Sequence, residues 1–207
     1  MITKEQFKLL DDLYSYYNKT LFDGKLKDCM IITSRKKGSN GYFISDNWSN
    51  KKKAEKTEEK NIHEISLNPD YLDRKDEEWQ STLVHEMVHL WQYDNGKPGR
   101  GKYHNKEWAR KMEEIGLMPS NTGKEGGKKT GQNMTHYIIP NGPFINAFNA
   151  LADKDIKYIS SPLLKISKEK KTASKIKYSC PCGNNVWGKP GLQIICQTCQ
   201  NYFEQEE

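Results

Sequence analysis

The stretch Thr82-Leu83-Val84-His85-Glu86-Met87-Val88-His89 places two histidines four residues apart inside an apolar run. On a helix, positions i and i+4 share one face, so helical structure here would aim both imidazoles at one point. The flanks agree. Asp76, Glu77 and Glu78 crowd the start, where the helix dipole favours negative charge. Trp79, Leu83, Met87, Leu90 and Trp91 supply a side to bury, and Gly96 and Pro98 mark the end. The pattern predicts a central helix from about residue 76 to about residue 93.

His85-Glu86-x-x-His89 has the form H-E-x-x-H. By chance this pattern arises in about one chain in a hundred of this length or fewer. Two imidazoles on one helical face can bind zinc, with the glutamate beside them as general base. A catalytic zinc takes three protein ligands and keeps a fourth position for water. It lowers the pKa of that water from about 15.7 to about 7. Glu86 would accept the proton and pass it to a leaving amine. The expected third ligand is His104, which a turn over residues 96–101 can bring back over the site. His136 and His63 are its rivals.

Elsewhere the pattern is mixed. Thr3 with Gln6 fits a capping box for a first helix whose face is Phe7, Leu10, Tyr14, Tyr17 and Leu21, with Gly24 as the stop. Met30–Thr33, Gly41–Ile44 and Ile62–Leu67 read as strands, with a turn over residues 34–38. Residues 50–60, rich in Lys and Glu, read as a mobile loop. A third helix starts near Asn105, presents Trp108, Met112 and Ile115, and ends at Gly116. Residues 120–133, with four glycines and three lysines, read as a flexible loop or linker. A strand and a short helix are expected within residues 134–165.

Four of the five cysteines fall within twenty residues: Cys180-Pro181-Cys182, then Cys196-Gln197-Thr198-Cys199. Two close pairs of thiolates suit a closed tetrahedral zinc site, and metal binding would supply the folding energy of so small a module. Cys29, beside Met30-Ile31-Ile32, reads as a buried small hydrophobe. Residues 165–189 hold seven lysines against one glutamate. Lysines interleaved with aromatics make a usable surface for single-stranded nucleic acid, phosphates on lysine and bases on rings. Lys175, Lys177, Trp187 and Lys189 are the candidates. Tyr202 and Phe203 are expected to pack the small core, and Trp187 to lie exposed in a hairpin turn.

His85-Glu86-Met87-Val88-His89, His104-Asn105-Lys106-Glu107-Trp108 and Thr135-His136 together resemble the SprT-like metalloprotease family. The resemblance covers roughly residues 3–140. It implies that His85, His89 and His104 hold a catalytic zinc, that Glu86 is catalytic, and that a strand precedes the active helix. The C-x-C…C-x-x-C module fits the C-terminal ribbon such proteins carry. The fold expected is α+β: a zincin-like domain over residues 1–165, its small mixed sheet packed on the active-site helix, then a basic linker and zinc ribbon over 166–207. The function implied is endopeptidase action on DNA-associated proteins, of the kind that degrades DNA–protein crosslinks. It uses one catalytic and one structural Zn2+, and the ribbon recruits single-stranded DNA or DNA-bound protein. Alternatives are a ribbon that docks a protein partner, and a non-enzymatic nucleic-acid adaptor. With no long apolar run and no signal-like N-terminus, no membrane association and a cytoplasmic location are expected.

Overall fold

The computed structural model describes residues 2–49, 61–151 and 175–206. Contacts divide the chain into two units, residues 1–163 and 164–207. The predicted loop at 50–60, and most of the lysine run between 165 and 174, lie outside the described residues.

The first unit mixes helix and sheet. Helix α1 (Ile2–Leu21) buries Leu10, Leu13, Tyr14 and Tyr17. Phe7 is 48% exposed and does not join that face; the packed stretch begins at Leu10. Thr3 lies inside the helix rather than at its cap. The Tyr17 hydroxyl reaches Gln80 Oε1 at 2.6 Å, tying α1 to helix α2 (Asp76–Asn95).

Strands β1 (Cys29–Thr33), β2 (Gly41–Trp48) and β3 (Ile62–Leu67) form a sheet in the order β1-β3-β2. The turn expected between the first two strands does not make a hairpin. β3 inserts between them, parallel to β1 and antiparallel to β2. Its residues from His63 to Leu67 are all buried, as suits a strand covered on both faces. The Glu64 carboxylate is satisfied by Asn47 Nδ2 at 2.6 Å and Trp48 Nε1 at 2.8 Å. Those donors follow a bulge in β2, where Asp46 takes φ +52°. The polar Ser45-Asp46-Asn47 run breaks period-2 alternation, so the strand reads shorter in sequence than it is.

α2 runs beneath this sheet and buries Trp79, Leu83, Val84, Met87, Val88 and Leu90. Helix α3 (Lys106–Glu114) is capped by Asn105, whose side chain accepts from the Trp108 N–H at 3.0 Å. It buries Trp108 and Met112, with Ile115 just after its end. Gly116 takes φ +90°, the left-handed cap expected of it. Strand β4 (Leu117–Ser120) follows and pairs antiparallel with β5 (Thr135–Ile138). Helix α4 (Pro143–Leu151) buries Phe144 in the core. The Gly/Lys-rich segment between β4 and β5 is tied down by Asn121 N–H to Lys128 carbonyl at 3.0 Å and by a bridge between Gly131 and His104. Cys29 is half-buried against the core rather than fully enclosed. Burial pushes its thiol up to about 12.

The second unit is a three-stranded sheet in the order β7-β6-β8, from β6 (Ile176–Ser179), β7 (Asn185–Gly188) and β8 (Glu204–Gln205). Its aromatic core is Tyr178 on the middle strand, whose hydroxyl donates to the Lys189 carbonyl at 2.6 Å. Tyr202 is 61% exposed, against expectation, and forms an isolated bridge with Ile195 outside the sheet; Phe203 is half-buried. Trp187 is 63% exposed, but it lies in β7 opposite Lys177 rather than in a turn. Among the described residues, no helix is long and apolar enough to cross a membrane.

Candidate metal centres

Three imidazoles meet in the first unit. His85 and His89 stand one turn apart on α2, and His104 comes from the segment before α3. One ring nitrogen from each lies within 4.8 Å of the others. His89 Nε2 and His104 Nε2 are 3.1 Å apart. Two nitrogens bound to one tetrahedral zinc at about 2.1 Å stand about 3.4 Å apart, so the donor set fits that ion.

Each histidine is held. The Gly131 carbonyl accepts from both the backbone N–H of His104, at 2.9 Å, and its Nδ1, at 3.0 Å. That fixes the tautomer and leaves Nε2 facing His89. The Gly/Lys-rich segment thus supplies the acceptor that aims the third histidine, a role composition gave no sign of. Trp108 is the floor. Its fully buried ring lies 5.1 Å from His85, 5.4 Å from His89 and 4.4 Å from His104, centroid to centroid. Burial, with the neighbouring histidines, pushes His85 well down and His89 down to about 3. The imidazoles are therefore neutral, the form that binds metal.

Glu86 sits beside His85, buried, in a cleft also lined by Lys36, Tyr42, Lys102, Tyr103 and Thr135. Burial raises its carboxyl to about 8, while Lys36 and Lys102 pull the other way. Gly41 makes the approach of β2 possible: a Cβ there would stand 3.0 Å from Thr82 Cγ2, 3.1 Å from the Ser66 carbonyl oxygen and 3.3 Å from Glu86 Cγ.

Neither rival histidine joins the converging group. His63 is buried in β3, where Nδ1 accepts from the Asp46 N–H at 3.0 Å and Nε2 lies 3.3 Å from Asp94. His136, on β5, lines the same cleft and touches His85, but is not one of the three converging histidines.

In the second unit all four expected cysteines converge. Sγ–Sγ distances are 3.2 Å for Cys180–Cys199, 3.3 Å for Cys180–Cys182 and 3.6 Å for Cys182–Cys196. Four thiolates about 2.3 Å from one tetrahedral zinc would be about 3.8 Å apart, close to this set. The backbone N–H of Cys199 and the Asn184 amide favour the Cys196 thiolate, and the Asn201 N–H favours that of Cys199. Of the predicted basic residues, Lys175 and Lys189 are exposed, whereas Lys177 Nζ pairs with Glu206 at 2.9 Å.

A family model described as SprT-like matches residues 10–134, more than half of the 207-residue chain. It spans all of the metal-cleft residues except Thr135 and His136. No curated protein matches the chain.

Proposed function

The chain belongs to the SprT-like family, and on that premise we propose that it is a zinc-dependent endopeptidase of zincin type acting on DNA-associated proteins. The observation that carries this reading is the convergence of His85, His89 and His104 with Glu86 beside them in an open cleft. A purely structural zinc site has no use for a carboxylate at that position.

His85, His89 and His104 would hold the ion, which when bound supplies Lewis acidity and a water of lowered pKa. The residues do the rest. Trp108 excludes water from behind the imidazoles and fixes their separation. Glu86 takes the proton of the attacking water and returns it to the leaving amine; a carboxyl raised towards neutrality by burial is well matched to both steps. Among the described residues β2 is an edge of its sheet, and Gly41–Ser45 line the cleft. An extended substrate can lie along that edge, with its scissile bond over the histidines.

The Cys180, Cys182, Cys196 and Cys199 cluster is read as a structural zinc ribbon. Trp187 and Lys177 stand directly opposite on neighbouring strands, with Lys175 and Lys189 exposed nearby in sequence. A ring for bases beside ammonium groups for phosphates supports single-stranded DNA as the recruiting partner. The test is cleavage of a protein crosslinked to single-stranded DNA by zinc-loaded enzyme, with Glu86→Gln as control. Cleavage of the crosslinked protein well ahead of the same protein free in solution supports the full reading. Equal cleavage leaves an endopeptidase with a protein-docking ribbon, and no cleavage of either removes the peptidase.

A further inference from the structure

His136 stands in contact with the metal cluster without belonging to it. Its Nδ1 lies 3.0 Å from His85 Nδ1, and its Nε2 lies 2.8 Å from Ser81 Oγ. Ser81 Oγ donates in turn to the Glu78 carbonyl at 2.8 Å.

The direction of each bond follows from the end of the chain. A carbonyl oxygen only accepts, so the single Ser81 hydroxyl proton goes to Glu78. Ser81 Oγ is then left to accept, and His136 Nε2 must carry the hydrogen that reaches it. A neutral imidazole protonated at Nε2 has a bare Nδ1, which can only accept. The hydrogen between the two rings therefore belongs to His85 Nδ1. With that nitrogen protonated, the lone pair of His85 is on Nε2, the atom left to face His89 and His104. The anchor is rigid: Glu78 and Ser81 lie on the same helix as His85, two turns and one turn before it, and β5 holds His136 by its pairing with β4.

We propose that His136 is a positioning residue that fixes the tautomer and ring orientation of His85, with Ser81 and the Glu78 carbonyl behind it. The inference rests on the reading of His85, His89 and His104 as a zinc site. Metal-bound histidines ordinarily donate their second N–H to a carboxylate, carbonyl or water. Here another histidine takes that part. A ligand role for His136 would give four protein donors and a closed site with no position for water.

The experiment is zinc competition by a graded chelator on the full-length protein, read as two release steps, for wild type and for His136→Leu, His136→Asn and Ser81→Ala. Cobalt loading assigns the steps, because thiolate charge-transfer bands mark the four-cysteine site alone. His136→Leu keeps bulk but offers no acceptor, so the histidine-site ion should be held about 10–100-fold more weakly, with a shifted cobalt ligand-field spectrum and an unchanged cysteine-site step. His136→Asn places an amide oxygen near the former Nδ1 and should recover most of that loss. Ser81→Ala, which frees the tautomer but keeps the ring, should lose part of it. Equal affinity in wild type and His136→Leu would overturn the inference, as would His136→Asn binding as weakly as His136→Leu, since packing alone would then explain the effect. Wild-type protein that binds only at the cysteines would overturn the zinc reading itself, and this inference with it.

Discussion

His89 and His104 have fourteen residues between them in sequence, yet their Nε2 atoms stand 3.1 Å apart. The closure is made by a short turn. Gly99 lies against the Tyr103 carbonyl, where a Cβ would come within 2.1 Å of the oxygen. Gly101 takes φ +61°, and Asn105 caps α3 directly after His104. Gln92 Nε2 donates to Asn105 Oδ1 at 2.7 Å and to Glu107 Oε2 at 2.8 Å, binding the two helices across the turn. The third histidine is thus presented from a pinned segment rather than a free loop.

Glu86→Gln and His104→Ala should separate chemistry from metal binding. The first removes a base and no ligand. It should keep zinc and lose about 10²–10⁴-fold in peptide hydrolysis. The second should lose both. Zinc content by atomic absorption beside a fluorogenic peptide assay reads the two effects; a Glu86→Gln enzyme at the wild-type rate would refute the base assignment. His63→Ala should keep its zinc and fail instead in stability, since it empties a buried site bonded to Asp46.

Gly41→Ala should slow catalysis without emptying the metal site. The added methyl presses on Thr82 and Glu86 of α2 and on the Ser66 carbonyl of β3. Moving β2 outward should cost about 1–3 kcal/mol of stability and lower kcat as Glu86 shifts. Thermal melts and single-turnover rates on zinc-loaded protein would check this. Unchanged values in both would show that the sheet yields at no cost.

Zinc-loaded full-length protein should carry two equivalents, and Cys182→Ser one. Alkylation adds a second readout. With metal bound, all five thiols should react slowly, four because they are ligated and Cys29 because burial keeps it a thiol at pH 8. Chelation should expose Cys180, Cys182, Cys196 and Cys199 to fast modification and leave Cys29 slow. Mass spectrometry counts the adducts; five fast thiols after chelation would mean that the first unit opens as well.

Trp187→Ala should weaken binding to a labelled single-stranded oligonucleotide by about 1–3 kcal/mol, the worth of one stacked base. Lys175→Ala should flatten the salt dependence. Lys177→Ala should do so less, because Lys177 is already paired with Glu206. Fluorescence anisotropy across a salt series is the measurement. Absence of binding at low salt would remove the DNA-directed reading.

Local pattern carried much of the site. The i, i+4 histidines and the glutamate beside the first of them are a property of one helix, and so is the Asn105 cap before Trp108. The two cysteine pairs are equally local, because closely spaced thiols can converge only at short range. Each of these was legible because neighbours in the chain were already neighbours in space. The lysine run was legible as charge, but not which lysine is paired: Glu206, nearly thirty residues from Lys177, neutralises one of them. Tyr202 read as core and is exposed, since aromatic character says nothing about which strand occupies the middle of a sheet.

By itself the sequence determined the helix that carries His85 and His89, the glutamate beside the first of them, the candidate third histidine and the four-thiol cluster, all through periodicity and spacing. Tertiary structure decided what depends on contacts between distant segments. It inserted β3 between β1 and β2, bringing Gly41 against Glu86. It brought His104, with the Gly131 carbonyl behind it, into one group with His85 and His89, and left His63 and His136 outside that group. It also put His136 and Ser81, fifty-five residues apart, into one hydrogen-bonded line with His85. The reason is physical. A helix or a close cysteine pair is fixed by its own backbone geometry, whereas the tautomer of a histidine is fixed by whichever partner the fold brings to its far nitrogen.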